Sequence, residues 1–255
     1  MKLSKKMIGA TGLALMLGMM MTPVNSNAKG QGMGNGGGQQ NGLSTIVSNL
    51  PIQDLSSLEE IGLIKMREEE KLARDVYQAL HEKWGHRVFQ NIAQSEQQHM
   101  NAIQALLKKY SMEDPAAKAP AGVFHDEELQ TLYNSLVEQG EQSLIEAFQV
   151  GATIEDLDIK DLYEFLEQTD NTDIKTVYQN LAKGSRNHLR SFCYQLSLNG
   201  ASYEAQFLTM AQINDIISSP KERGRVDENG EQVTGNMNSG NKNGRRAGMR
   251  GRSTF

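Results

Sequence analysis

Cysteine is almost absent from this sequence of 255 residues, in which Cys193 is the only one. A single thiol cannot form a disulfide within the chain, and it cannot build a metal site of several thiolates. Alternation of apolar and polar residues over a useful length is also missing, so no β-strand is predicted. These absences exclude a disulfide-stabilised fold and a cysteine-based metal site, and they leave helices as the expected structure.

A long apolar run occurs only at the N-terminus, from Met7 to Met21. Three lysines precede it, and the small residues Ser26 and Ala28 follow it at the spacing of a signal-peptidase site. We therefore predict a signal peptide over residues 1–28, cleaved after Ala28, and an exported protein, periplasmic or extracellular. The run is short for a membrane span, so no span is expected once the signal has been removed.

Charge and composition divide the remainder of the sequence. Residues 29–42 are rich in Gly, Gln and Asn, which is typical of a flexible linker. The sequence as a whole has a formal charge of −5, but residues 221–255 contain eight basic and four acidic residues. We predict a folded domain over 43–217 and a basic disordered tail over 218–255. Because aromatic residues are not interleaved with the basic ones, no specific nucleic-acid partner is expected.

Helical periodicity with matching end signals accounts for the predicted domain. Ser57 followed by Glu60 indicates a capping box, and Gly85 and Gly140 indicate helix ends. The predicted long helices cover residues 58–83, 87–110, 143–168 and 173–198, and shorter helical segments cover 126–139 and 203–217. Short links join the long helices two and two, and a long connection separates the pairs. The fold class predicted is all-α, a ferritin-like four-helix bundle with a long crossover and extra short helices.

Glu96 and His99 stand three residues apart on an otherwise apolar face of the second long helix. Burying an acid and an imidazole without partners costs several kcal/mol, roughly 2–7 for a neutral polar group. A metal ion shared with other helices would satisfy both, and Glu-x-x-His is the signature of di-metal carboxylate bundles. A buried acid–imidazole hydrogen bond without metal is the competing interpretation.

The other three long helices also place metal-competent side chains on their inward faces. Glu69 lies nearest the centre of the apolar stripe of the first helix, whereas Glu68 and Glu70 are expected to be more solvated. Glu155 and Asp158 share one face of the third long helix, and His188 lies on the inward face of the fourth. Each of these residues also has a competing interpretation without metal. Glu69 would form an ion pair with Lys65, and His188 would be a histidine of the core. Glu155 and Asp158 would lie on a solvated face, as is expected for Asp156 and Asp161.

Four segments carry a resemblance to a known family. They are EEEKLARDVY at 68–77, IAQSEQQHM at 92–100, VGATIEDLDI at 150–159 and GSRNHLR at 184–190. Over roughly residues 50–210 the chain resembles the ferritin-like "domain of unknown function 2202" family, which implies a ferritin-like fold and no established activity. Relative to di-iron ferritin-like proteins, the match supplies Glu69, Glu96, His99, Glu155 and His188. Ser185 stands where a second Glu-x-x-His would have its acid, and we expect Asp158 to replace that carboxylate.

The predicted metal ligands are thus Glu69, Glu96, His99, Glu155, Asp158 and His188, and they would bind at most two ions of Fe or Mn. Three functions fit this pattern. The protein would be a di-metal oxidoreductase or ferroxidase, a metal-binding protein without turnover, or a metal-free helical interaction domain. A homo-oligomer is compatible with each of them.

Overall fold

The computed structural model describes residues 42–233. The predicted signal, nearly all of the predicted linker and the end of the predicted tail lie outside these residues. Seven helices are present within them: α1 Leu43–Val47, α2 Ser57–Trp84, α3 Arg87–Lys109, α4 Glu127–Gly140, α5 Leu144–Gln168, α6 Thr172–Leu198 and α7 Met210–Ser218. An isolated antiparallel bridge between Val226 and Gln232 is the one β pairing of the described residues. The prediction of an all-α protein is confirmed.

The N-terminus of α2 lies one residue earlier than the sequence predicts. Ser56, rather than Ser57, is the N-cap, and the N3 residue of its capping box is Glu59 rather than Glu60. Glu59 is held in this role by a tertiary contact, because its second carboxylate oxygen accepts a hydrogen bond from Thr169 in the turn between α5 and α6. A hydrogen bond across 110 residues of sequence thus supports Ser56 and Glu59 as the capping pair.

The four long helices are arranged so that each of them packs against two of the others. A two-residue link joins α2 to α3 and a three-residue link joins α5 to α6, and each pair is antiparallel. Across the pairs, Lys65 of α2 bonds Asp161 of α5, and Lys109 of α3 bonds Asp173 of α6. These contacts place the C-terminal ends of α3 and α5 at the same end of the molecule. Residues 110–143, which include α4, must therefore cross the length of the helices to begin α5.

Two apolar clusters form the core, one towards each end of the long helices. In α2, for example, Leu63 and Met66 belong to one cluster, whereas Val76 and Leu80 belong to the other. Buried charged residues fill the level between the clusters, as described below. Of the helices within residues 42–233, none is both long and apolar enough to cross a membrane.

The chain beyond the predicted domain boundary at residue 217 packs against α6 from Glu222 to Val226. Glu222 accepts hydrogen bonds from Arg186 at 2.6 and 2.8 Å and from Arg190 at 3.2 Å. Val226 is buried, and its carbonyl accepts a hydrogen bond from the Asn180 amide at 2.7 Å. The first part of the predicted tail thus supplies the counter-charge for two arginines of α6.

Candidate metal centre

A layer of buried polar side chains lies at the middle level of α2, α3, α5 and α6, and every one of these helices contributes to it. The layer contains Glu69, Glu70, Glu96, His99, Glu155, Asp158, Ser185 and His188. All eight residues are at most 9% exposed. The six residues that the sequence predicts as ligands are therefore all buried at one level of the protein.

Glu96 of α3 is at the centre of this layer. Its Oε2 atom lies 2.7 Å from Nδ1 of His99, one helical turn further along α3. Its Oε1 atom lies 2.8 Å from Nδ1 of His188 on α6. One carboxylate thus contacts an imidazole with each of its oxygens, which is the position of a bridging ligand between two sites.

Two groups of three potential ligands share Glu96. Glu70, Glu96 and His99 bring ligand atoms within 4.8 Å of one another, and Glu96, Glu155 and His188 do the same. In the first group Oε2 of Glu70 is 3.1 Å from Nδ1 of His99, and in the second Oε2 of Glu155 is 3.4 Å from Nδ1 of His188. The layer therefore has two similar halves on either side of Glu96.

The α2 residue in the first of these groups is Glu70, whereas the sequence prediction selects Glu69. The expectation that Glu68 and Glu70 are solvated is wrong, because they are 6% and 1% exposed. Glu69 is also buried, and it faces Lys65 at 3.2 Å, in the ion pair that the sequence offers as the alternative. Metal binding by Glu69 stays a prediction.

The sequence does contain a signal for Glu70. It lies four residues after Met66 and seven before Tyr77, and both of these side chains are completely buried. Because residues at these spacings share one face of a helix, Glu70 faces the same interior. The orientation of Glu70 is hard to recognise from the sequence, because three acids follow one another and α2 is buried on more than one side.

Asp158 lies beside Ser185, and its replacement of the missing second acid as a metal ligand stays a prediction. The Ser185 hydroxyl donates a hydrogen bond of 2.5 Å to Oδ2 of Asp158. Burial, followed by the negative charges of Glu70 and Glu155, raises the pKa of Asp158 well above its ordinary value. The carboxylate is therefore close to both halves of the layer, although it belongs to neither three-residue group.

Two acids next to the layer were expected on a solvated face, and this expectation is wrong. Asp156 is completely buried, and it accepts hydrogen bonds from the Tyr203 hydroxyl and from three backbone N–H groups of residues 206–208. Asp161 is 3% exposed and binds Lys65 at 2.6 Å and Lys160 at 3.0 Å. Both have polar partners supplied by the fold, which explains how they can be buried.

Second contacts hold several of the potential ligands in place. The Tyr77 hydroxyl donates a 2.5 Å hydrogen bond to Oε1 of Glu155. Nε2 of His188 contacts the Ser95 hydroxyl at 3.0 Å, so its Nδ1 is the nitrogen that faces the carboxylates. Such outer contacts fix the orientation of metal ligands in proteins.

Several buried atoms of the layer have no hydrogen-bond partner among the described residues. They are Oε2 of Glu69, Oε1 of Glu70, Oε1 of Glu96, Oδ1 of Asp158 and Nδ1 of His188. Although Oε1 of Glu96 and Nδ1 of His188 approach to 2.8 Å, they are not aligned for a hydrogen bond. Leaving so many buried polar atoms unpaired is costly, so a shared ligand is the economical explanation.

The pKa values show how the layer carries its charge without a metal ion. Burial raises the pKa of Glu70 to about 8 and also raises that of Glu155. Burial acts in the same direction on Glu96, but the imidazoles of His188 and His99 outweigh it and lower its pKa. The metal-free layer thus stores protons on its outer acids and its imidazoles, and a divalent cation could replace these protons.

The donor set of carboxylate oxygens and imidazole nitrogens suits iron, manganese or zinc rather than the soft metals that thiolates select. The fold and the layer together define an all-helical protein with two carboxylate–histidine groups between four long helices.

The chain belongs to the family described as "Uncharacterized protein domain (DUF2202)", which matches residues 59–220. A relative, "Uncharacterized protein MJ0754" of Methanocaldococcus jannaschii, is 52% identical over 178 residues, which are 70% of this chain and 96% of the relative. The crystal structure of hypothetical protein MJ0754 from Methanococcus jannaschii is similar with a TM-score of 0.67 at 51% identity. It covers 68% of this chain and 99% of that one.

Proposed function

We propose that this protein is an exported ferritin-like protein that binds up to two ions of iron or manganese between α2, α3, α5 and α6. The observation that carries the proposal is the position of Glu96, whose two oxygens face two different imidazoles at 2.7 and 2.8 Å. The crossover between α3 and α5 supports the ferritin-like part, since that connection is typical of such bundles.

Each half of the layer would bind one of the two ions. Glu70 and His99 would hold one ion, Glu155 and His188 would hold the other, and Glu96 would bridge them. Asp158 adds a fourth carboxylate, so four negative charges would balance two divalent ions. This balance matters because an uncompensated buried charge is strongly destabilising.

Bound iron or manganese would supply redox chemistry with oxygen or peroxide, which is why we favour an oxidoreductase or ferroxidase-like activity. The protein's own residues exclude bulk water from the layer and orient the ligands. Tyr77 fixes Glu155, and Ser95 fixes the ring of His188. A site of this rigidity would retain its geometry when the charge on the ions changes.

A metal-free role is the competing proposal, and one observation favours it. Burial alone would lower the pKa of His188, but Glu96 and Glu155 raise it to about 10, so a protonated imidazole can neutralise Glu96 without metal. That arrangement leaves the unpaired atoms of Glu70 and Asp158 unexplained. Metal binding without turnover is the third possibility, and it needs no substrate.

Metal titration separates these proposals. Anaerobic titration of the metal-free protein should show up to two equivalents of Mn(II) or Fe(II). At 100 times Kd each bound ion should stabilise the fold by about 2.7 kcal/mol, which corresponds to a melting temperature higher by roughly 5–10 °C for each ion. Glu96→Gln should abolish binding, whereas Glu68→Gln, a change at another buried acid, should not.

The outcomes assign the function. Uptake together with oxygen consumption by the Fe(II)-loaded protein supports the oxidoreductase. Uptake without oxygen consumption supports binding alone, and no uptake by the wild-type protein supports the metal-free domain. For the proposed export, intact mass of protein from the native envelope or medium should show an N-terminus at Lys29, and an unprocessed cytosolic chain would contradict it.

A further inference from the structure

Two interfaces join the helix pairs, one between α2 and α5 and the other between α3 and α6. A cavity of about 600 Å³ at the α3–α6 interface is lined by His99 and His188 of the polar layer. Lys183 and Lys221 also line it, and none of the described residues in its lining is an aspartate or a glutamate. This interface thus offers space next to the layer, but its cavity lacks the carboxylates that would attract a cation.

The α2–α5 interface instead has buried carboxylates beneath partly exposed lysines. Nζ of Lys65 lies 2.6 Å from Oδ2 of Asp161 and 3.2 Å from Oε1 of Glu69. The Lys65 side chain is 42% exposed, whereas those of Glu69 and Asp161 are 8% and 4% exposed. Lys160 contacts the other oxygen of Asp161 at 3.0 Å and also binds Glu164. A cation that approaches from solvent therefore meets the lysines before it meets either buried acid.

The register of α2 against α5 places Glu69 between Lys65 and the layer. The contact of Lys65 with α5 fixes one level, and the contact of the Tyr77 hydroxyl with the Gly151 carbonyl at 3.3 Å fixes another. The two helices run antiparallel, so one turn forward along α2 corresponds to one turn back along α5. Glu69 and Asp158 therefore lie opposite each other, one turn further along the interface than Lys65.

Glu69 and Asp158 each have one buried oxygen without a partner. Oε2 of Glu69 and Oδ1 of Asp158 accept no hydrogen bond from any residue within 42–233. Such oxygens are costly to bury, and a cation is the kind of ligand that would satisfy them. The other oxygen of Asp158 is bound by Ser185 in the layer, so this acid connects the interface with the proposed metal centre.

We propose that Lys65 controls the entry of divalent cations into the layer, and that Glu69 is the intermediate contact between Lys65 and Asp158. In the metal-free protein the lysine ammonium group takes the place of a cation between Glu69 and Asp161. A divalent cation carries twice its charge and displaces it, and the flexible lysine stem lets the ammonium group move into solvent. This inference rests on the proposed metal binding, but it gives Lys65 and Glu69 a role in uptake rather than in the bound state.

The test compares the rates of Mn(II) uptake by the metal-free full-length chain and its Lys65 variants. Free Mn(II) is followed by electron paramagnetic resonance after rapid mixing, and release is followed after addition of excess chelator. Lys65→Gln keeps a hydrogen-bond donor but removes the charge. Uptake should become about tenfold faster, which is the effect of one unit charge on a divalent ion about 6 Å away in water. Release should accelerate as well, and Kd should change less than either rate, because Lys65 does not contact the bound ions.

Lys65→Arg should change the rates in the opposite direction. A guanidinium group keeps the charge and binds a carboxylate through two parallel hydrogen bonds, so it should hold the acids more firmly than an ammonium group. Uptake should slow about fivefold, the effect of one additional net hydrogen bond. Opposite effects of two substitutions at one position would not result from a loss of stability. If circular dichroism shows that Lys65→Gln does not fold, Lys65→Arg decides the matter.

Lys183 supplies the matched control, because it lines the cavity at the other interface. Lys183→Gln and Lys183→Arg should leave the uptake rate within about twofold, since solvent and salt screen a charge on the far side of the layer. Faster uptake in Lys183→Gln but not in Lys65→Gln would indicate entry through the α3–α6 cavity and would overturn the proposal. Wild-type rates in both Lys65 variants would overturn it as well and leave the metal centre intact, whereas no uptake by the wild-type protein would refute both proposals.

Discussion

Glutamine substitutions at Glu70 and at its neighbour Glu69 test which of the two is the metal ligand of α2. The structure groups Glu70 with His99, whereas the sequence predicts Glu69. Oε2 of Glu70 is 3.1 Å from Nδ1 of His99, and Glu70 is 1% exposed. Burial raises the pKa of Glu70 to about 8, so the side chain is largely neutral at pH 7 without metal. A glutamine, which is neutral and of the same shape, should therefore leave the stability of the metal-free protein nearly unchanged.

Metal binding should respond quite differently to Glu70→Gln. A glutamine cannot ionise to neutralise the cation, and even the loss of an outer contact typically costs 10–100-fold in metal affinity. The loss of a ligating carboxylate should cost at least about 100-fold, or about 2.7 kcal/mol, for the ion next to His99. Glu69→Gln should instead disrupt an ion pair with the partly exposed Lys65, which is worth about 0.2–1 kcal/mol.

The assay is electron paramagnetic resonance of free Mn(II) in equilibrium with each variant, with melting temperatures of the metal-free proteins as a control. We expect Glu70→Gln to bind one ion instead of two and Glu69→Gln to bind both. Equal affinities of Glu70→Gln and wild type, or a larger loss in Glu69→Gln, would refute the assignment of Glu70.

Three further predictions concern the same layer. Asp158→Asn should weaken the binding of the second ion, and adding Ser185→Glu to that variant should restore it. Ser185→Glu alone should increase the affinity little. Additive effects of the two substitutions, measured by Mn(II) titration, would disprove the compensation. Gly184→Ala should lower metal affinity while circular dichroism stays unchanged, because its Cβ would lie 2.5 Å from Nε2 of His99. Glu96 and Glu155 raise the pKa of His188 to about 10 against the effect of burial, so a metal ion must displace a proton from this imidazole. The metal affinity should therefore rise between pH 6 and 8. A Kd that does not depend on pH would contradict this.

The sequence predicted the long helices closely because local signals define them. The predicted α3 ends at residue 110 and the observed one at Lys109, and α5 ends at Gln168 in both. The level of the polar layer was predictable for the same reason, since one inward polar residue on each long helix marks it. The choice among the three consecutive acids of α2 was missed, although the spacing from Met66 and Tyr77 favours Glu70, because a helix that is buried on several sides has no single inward stripe.

Contacts between distant parts of the chain account for the other differences. Asp156 is buried because residues 203–208 fold back onto α5 and donate hydrogen bonds to it. Glu222 anchors the start of the predicted tail because it meets two arginines of α6 more than 30 residues earlier. Neither partner can be identified from composition or periodicity, which report only on neighbours along the sequence.

The most direct measurement of metal binding is anomalous diffraction from crystals of the Mn(II)-loaded protein. Two anomalous peaks should flank Glu96, one beside Glu70 and His99 and the other beside Glu155 and His188. A crystal with well-ordered side chains in this layer and no anomalous peak within ligand distance of Glu96 would contradict the proposed metal centre.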